Sequence, residues 1–393
     1  MKKLSSFLPS TLLTSSRCSF GRACFLLFFL SACIPLTEPT ADLDIPTLAV
    51  INAPLIESPA LVSIRFINEL DGWGVTETQI ARTNDGGITW YNVTPPALTE
   101  AGYSIETFVL DNDHVWIQLP DLDNFPNSGF LYRTTDGGIT WTSYKVPFSR
   151  ARLSFLIANA DNGWAMSDLG AGAGSMGVSI FQTIDGGATW NQTYTNDPNL
   201  ANAGDSLPLG GLKSDITDLN MHTAWVGGVT YATSEVYLYR TDDKGASWNQ
   251  IALPLPPGAE NAELSVESIQ FVSYTNAFLT LRMTSDKSNL AVYVSSDSGD
   301  TWSLTPTLIP DGGSADFLSA EEAVIYNGQQ FYVTRDAART WSIIPPDILF
   351  GDTFAGMDFV DTSTGWVVTV DPTNHRSLYR TSDGGATWFP LTP

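Results

Sequence analysis

Beyond Cys33 the sequence has no cysteine, since Cys18, Cys24 and Cys33 are the only three. A domain built from the remainder has no disulfide to hold it and needs a large apolar core. A chain of 393 residues, 43% of them hydrophobic, can supply one. Histidine is nearly absent. His114, His222 and His375 stand far apart and suggest no metal-ligand cluster. The acidic run "DLDN" at 121–124 lacks the rest of a calcium loop. Basic residues are scarce as well: 19 against 42 acidic ones give a formal charge of −23. Such a surface repels nucleic acid phosphates and anionic lipid headgroups. The glycine-rich "GAGAGSMG" at 170–177 is followed by no lysine or helix pattern, so neither a phosphate loop nor a serine elbow is present. No cofactor is expected.

Long apolar runs are also missing. "ACFLLFFL" at 23–30 falls well short of the ~20 residues that cross a bilayer as a helix. With Lys2, Lys3, Arg17 and Arg22 before it and "LSAC" after it, the run reads as a secretory signal over residues 1–32. Leu30-Ser31-Ala32-Cys33 resembles the bacterial lipobox, which implies lipidation of Cys33 and anchorage to a bacterial membrane outside the cytoplasm. A plain signal peptide that happens to contain a cysteine is the alternative. Removing 1–32 takes away four basic residues and no acid, so the charge becomes −27. Residues 33–58, rich in proline and without lysine or arginine, read as a tether. Within it, residues 47–53 have the composition of a stray strand.

What is present is a repeat. "RTNDGGITW" ends at Trp90, and close copies end at Trp141, Trp190, Trp248 and Trp388, with two worn ones, "VSSDSGDTW" and "VTRDAARTW", at Trp302 and Trp341. Seven copies about 50 residues apart fall in the range of propeller repeats. Upstream of each stand three apolar, β-branched segments between turn signals, and a fourth strand starts at the tryptophan. The fold class is therefore all-β: a seven-bladed β-propeller of four-stranded antiparallel blades over residues 59–393. The other five tryptophans (Trp73, Trp116, Trp164, Trp225, Trp366) sit in second strands, where Phe278 and Val324 replace them in blades five and six. Large apolar residues at one place per blade are expected to pack neighbouring blades together.

The repeated phrase matches the Asp-box. Its aspartates (Asp85, Asp136, Asp185, Asp243, Asp297, Asp336, Asp383) are expected to accept N–H bonds inside the hairpin between strands three and four. Gly87 permits a positive φ there, and Thr83 and Thr89 can bond across the hairpin. One carboxylate per turn is too few for calcium. Ala338 in place of the glycine predicts a strained or altered turn in blade six. The box is scaffolding.

Asp-box repeats with "F-x-x-x-x-x-GW" openings resemble the photosystem II assembly and stability factor family. More loosely they resemble sialidases, sortilin-type receptors and xyloglucan-cleaving glycosidases. The resemblance covers roughly residues 60–393 and implies the propeller, whereas an activity depends on the site. It implies that the Asp-box hairpins share one face. The opposite face then carries the long segments 119–129, 167–177, 195–214, 282–289 and 370–377, which either bind a protein or glycan partner or merely close the blades.

Each inner strand has a polar residue before its large apolar one: Arg65, Thr107, Ser154, Asp218, Gln270, Asp316 and Asp358. Strand alternation puts these seven on the central channel, either facing water or forming a binding ring. The resemblance to sialidases implies an arginine triad, but the ring offers only Arg65. Two carboxylates suffice for a glycosidase, and Asp316 with Asp358, or Asp218 with a loop acid, are the candidates. Arg82, Arg133, Arg240 and Arg380 before the boxes suit either an anion patch or support of the blade edge. The leading expectation is a monomeric, lipid-anchored, non-enzymatic propeller that binds or scaffolds a protein partner, as the photosystem factor resemblance implies. A glycoside hydrolase is the alternative.

Overall fold

The computed structural model describes residues 52–98 and 106–391. The proposed signal, Cys33 and residues 47–51 lie outside these. Among the described residues there are 28 β-strands and no α-helix. The strands fall into seven consecutive sets of four, spanning 63–92, 106–146, 151–195, 212–250, 263–310, 314–344 and 354–390. Within each set the order is sequential and every pairing antiparallel. Sets four and five are joined at a single bridge, Val229 to Ser265. The seventh set lies against the first, where Phe66 stacks on Trp366 at 3.6 Å and closes the ring.

Burial explains the sequence pattern. Second strands such as Gly72–Val75 and Ala323–Tyr326 are buried at every position, being sandwiched between adjacent blades. They therefore read as continuous apolar runs rather than as alternation. Their large rings bridge blades as expected: Trp116 stacks on Phe155 of the next blade at 3.8 Å, and Phe278 on Phe317 at 4.5 Å. The "GW" openings also acquire a reason. A β-carbon on Gly72 would come within 2.6 Å of the Phe66 ring, which lies over it.

All seven boxes close the same way. In blade one Thr83 Oγ1 donates to Asp85 Oδ1 at 2.9 Å, and the Thr89 backbone N–H donates to the same oxygen at 2.9 Å. The Thr89 hydroxyl donates to Oδ2 at 2.6 Å, and the Gly87 N–H to Thr83 Oγ1 at 3.0 Å. The set recurs around Asp136, Asp185, Asp243, Asp297, Asp336 and Asp383. Thr83 and Thr89 thus meet through the carboxylate rather than directly. Ala338 keeps the bonds of its glycine counterparts with φ at 60°, so its β-carbon sits in the left-handed region that favours glycine.

Segments 167–177 and 282–289, expected as long loops, are mostly strand, since Asn159–Gly172 turns into Ser175–Thr183 and Ala277–Thr284 into Ser288–Ser295. Two boundaries also differ from the sequence reading. Fourth strands begin one residue after the tryptophan, as at Tyr91 and Thr142. The tether reaches the propeller before residue 58. Pro54 O accepts from the Asn92 N–H, and the Ile56 N–H donates to Trp90 O, so residues 54–56 cover the short outer strand Tyr91–Asn92. An open edge with unpaired backbone groups favours such cover. Residues 52 and 53 form no strand.

Candidate functional site

The inner strands bring the seven polar residues of the ring together, and most of them join blades. Asp358, 2% exposed, takes Arg65 Nη1 on Oδ1 at 2.9 Å and the Phe66 N–H on Oδ2. Asp316 accepts from the Phe359 N–H at 3.0 Å, and Gln270 Nε2 donates to Phe317 O at 2.9 Å. The Ser154 hydroxyl donates to Asp218. Asp358, Asp316 and Gln270 each bond the backbone of the large apolar residue of the next inner strand, while Arg65 meets Asp358 and Ser154 meets Asp218 side chain to side chain. A backbone target needs no partner side chain, so residue types alone could not show it.

Two cavities open on this axis. The larger, about 560 Å³, is lined by Arg65, Ser154, Asp218 and Gln270 of the ring, with apolar walls from Leu110, Ile216 and Ile269. Ile157 and Tyr274, both in turns on the Asp-box side, stand at its rim and are mostly exposed. The smaller, about 280 Å³, contains Thr107 with Glu106, Arg152 and Asp215. Asp316 and Asp358 line neither cavity. A third, of about 450 Å³, lies on the opposite face between the loops of blades two to four. It is lined by Phe125, Arg150, Arg152, Met166, Leu169 and Lys213, among others.

The acids of the axis have displaced titrations. Burial pushes Asp218 up to about 6, against the hydrogen bond from Ser154. Asp215 touches the channel's solvent yet has protein on almost every side, and burial pushes it to about 6 as well. Asp316 goes well above the usual carboxylate range through burial and the charge of Asp358. Burial raises Asp358 too, with Arg65 holding it back. Six box aspartates move the other way. Asp297 and Asp336 are lowered chiefly by the hydroxyls of Thr301 and Thr340. In Asp136, Asp185, Asp243 and Asp383 burial opposes similar bonds, which prevail.

The signs give a pH optimum. Between the unfolded value of 3.8 and the folded value of about 6, only the folded protein holds the Asp218 proton, so stability rises as pH falls from 7 towards 5. The box contributions are present above 3.8 and are lost as pH falls through their lower folded values. Thermal unfolding should therefore occur at a higher temperature at pH 5 than at pH 7 or pH 3. Asp218→Asn should remove about 1 kcal/mol of the gain between pH 7 and pH 5. An unchanged pH profile in that variant would refute the assignment.

The arginines before the boxes support blade edges. Arg82 lies over Trp73 at 5.4 Å and donates to Gly137 O at 2.9 Å. Arg133 lies over Trp116 and pairs with Asp161 at 2.9 Å. Arg240 and Arg380 lie over Trp225 and Trp366. Asp121 of the "DLDN" run is occupied by Asn124, Ser128 and Lys145 at 2.8 to 3.0 Å. Among the described residues no group of three or more His, Cys, Asp or Glu is placed to hold a metal ion. One functional-looking residue had no sequence signal. Lys213, at the start of the first strand of blade four, is 5% exposed, and its ammonium is held by four backbone carbonyls.

These features define a β-propeller whose polar axis chiefly ties blades together and whose loops leave open cavities on both faces. The chain belongs to the DUF6242 beta propeller domain family, whose model matches residues 74–371. It is similar to a xyloglucanase of Hypocrea jecorina (strain QM6a), 26% identical over 367 residues that cover 79% of this chain and 36% of the relative. The chain thus spans about a third of that relative's length. Among solved structures it resembles a GH74 xyloglucanase from Xanthomonas campestris, with a TM-score of 0.56, 15% identity, and coverage of 86% of this chain and 56% of that one. It also resembles YCF48 from Cyanidioschyzon merolae, with a TM-score of 0.50, 17% identity, and coverage of 84% and 96%. At these identities the two structures share the fold.

Proposed function

We propose that the protein is a lipid-anchored, non-enzymatic propeller that binds a protein partner outside the cytoplasm, with Cys33 as the anchor. The observation that supports it is on the loop face. Large apolar side chains stand out to solvent there, with Leu122, Phe125, Leu209 and Tyr231 on loops and Leu169 near the end of the strand Asn159–Gly172, each 38–64% exposed. Phe125 and Leu169 flank the 450 Å³ cavity with Arg150 and Arg152. Apolar anchors beside arginines suit the centre of a protein interface. The partner belongs to the envelope or membrane, where the tether keeps the propeller.

The test is cross-linking in native membranes with a photoreactive residue at position 125 or at position 139 on the Asp-box face. A defined membrane protein captured from 125, not from 139, and lost in a Phe125→Asp/Leu169→Asp variant is the expected result. Capture from neither position would reject the reading.

The identity to a xyloglucanase favours one second reading, a glycoside hydrolase. Its acids would be Asp218 and Asp215 at the axial cavities, since Asp316 and Asp358 are committed to the next blade's backbone. Release of reducing ends from xyloglucan, abolished by Asp218→Asn, would establish it in place of the first.

A further inference from the structure

The repeat itself exposes a vacancy. At four blade junctions an arginine of the third strand crosses to the next blade, where it meets a turn carbonyl or an acid. Arg82 reaches Gly137 O, Arg133 reaches Ala160 O and Asp161, Arg240 reaches Asp300, and Arg380 approaches Glu69 at 3.8 Å. Between blades three and four Gln182 takes the same place and donates to Met221 O at 2.8 Å. Between six and seven, Arg335, two residues along, reaches Thr362 O at 3.5 Å.

Between blades five and six the position is Val294, whose side chain carries no donor. A groove of about 480 Å³ lies there, lined by Phe278, Val294, Thr301, Ala320, Glu321 and Ala337. The acceptors of the turn between the first two strands are retained. Glu321 O takes the Ala337 N–H at 2.9 Å just as Asp161 O takes the Gly186 N–H at 2.8 Å, so Glu321 is the counterpart of Asp161. Ala320 is then the counterpart of Ala160, whose carbonyl holds Arg133. The Glu321 carboxylate is exposed and makes no ion pair among the described residues. Arg339 stands at the rim, where blade five has Asp300, and opposes any incoming cation.

We propose that this groove receives an arginine side chain of a partner protein, which supplies from outside the guanidinium that other junctions carry themselves. A planar fork of donors fits a carboxylate flanked by carbonyls. The chain's own tether is not the source, because residues 34–58 contain no arginine or lysine. The inference is independent of the loop-face reading, since the groove is on the Asp-box side.

The probe is acetyl-Gly-Arg-Gly-amide, titrated against the protein by NMR with its citrulline analogue as control. Saturable one-to-one binding of the arginine peptide alone is expected, weakened about tenfold by Glu321→Gln. Arg339→Asp, which copies Asp300, should tighten it several-fold. Val294→Arg should fill the groove from within and abolish binding while unfolding no earlier than the parent. Should that variant fold poorly, the Glu321 and Arg339 variants still decide. Equal binding of the citrulline peptide, or indifference to Glu321→Gln, overturns the inference. A partner captured through position 125 with no arginine-peptide binding overturns it alone and leaves the loop-face reading standing.

Discussion

Asp358→Ala is expected to destabilise the propeller by about 3 kcal/mol, which lowers the unfolding temperature by roughly 5 °C, whereas Asp358→Asn should stay within about 1 kcal/mol of the parent. The difference follows from what each replacement leaves behind. Alanine strips the Phe66 N–H of its acceptor at a buried position and removes the partner of Arg65. An unmet buried donor costs about 1–3 kcal/mol, and more when a charge loses its partner. Asparagine keeps an acceptor for the Phe66 N–H and removes a charge that burial opposes. The site matters because it closes the ring: blades seven and one are held by side chains and packing with no loop between them. Calorimetry on the two variants checks this. Equal losses in both would mean that charge, not the hydrogen bond, holds the closure. The same comparison bears on the glycosidase alternative, since lost activity in an Asp358 alanine variant would report a loosened closure before it reported chemistry.

The architecture was legible because every blade repeats one local solution. Seven tryptophans at a regular spacing, each behind Thr/Ser-x-Asp, fix the hairpins, and the apolar segments between them have only strand periods. Ring packing was legible for the same reason: Trp116 on Phe155 and Phe278 on Phe317 occupy the expected positions. Even the substitution of tryptophan by phenylalanine in blade five preserves the stack.

What stayed hidden concerns partners distant in sequence. The polar ring was visible as a pattern, and its seven residues lie on the inner strands, with Asp316 and Asp358 turned to the next blade rather than to an axial cavity. Its bonds to the next blade's backbone, such as Asp316 to Phe359, leave no trace in side-chain identity. Arg82 and its counterparts were seen as recurrent, but their destinations in the following box depend on blade spacing. Once those are known, Val294 becomes informative as the place where the series breaks. The join of residues 54–56 to Trp90–Asn92 was missed for a simpler reason: "PLI" between prolines has a tether's composition, and only the open edge of blade one makes it a partner.

Lys213 is the extreme case, and its replacement is the second change of large expected effect. It sits in "GGLKS", a link that reads as solvent-facing loop, yet its ammonium donates to Pro208 O at 2.6 Å, Met176 O at 2.8 Å, Leu209 O at 3.0 Å and Gly211 O at 3.1 Å. Burial lowers its titration to about 8, so at neutral pH the proton needed by these carbonyls is present. Methionine has similar volume and no donor. Lys213→Met takes a charged donor from all four carbonyls, of which Leu209 O keeps the Met176 N–H and Pro208 O the Tyr237 hydroxyl, and a loss of about 3 kcal/mol is expected. The damage should be local first, because these carbonyls belong to the link before blade four and to the start of the strand Ser175–Thr183 at Met176. Hydrogen exchange across residues 204–214 should lose protection while the boxes keep theirs. Unchanged exchange would show that the link is held by its other bonds, such as Tyr194 Oη to the Leu207 N–H at 2.8 Å. Because Lys213 and Met176 also line the loop-face cavity, the same variant should weaken partner capture through position 125 without any change in exposed residues. That coupling would tie a buried lysine in an acidic propeller to the proposed binding face as well as to the fold.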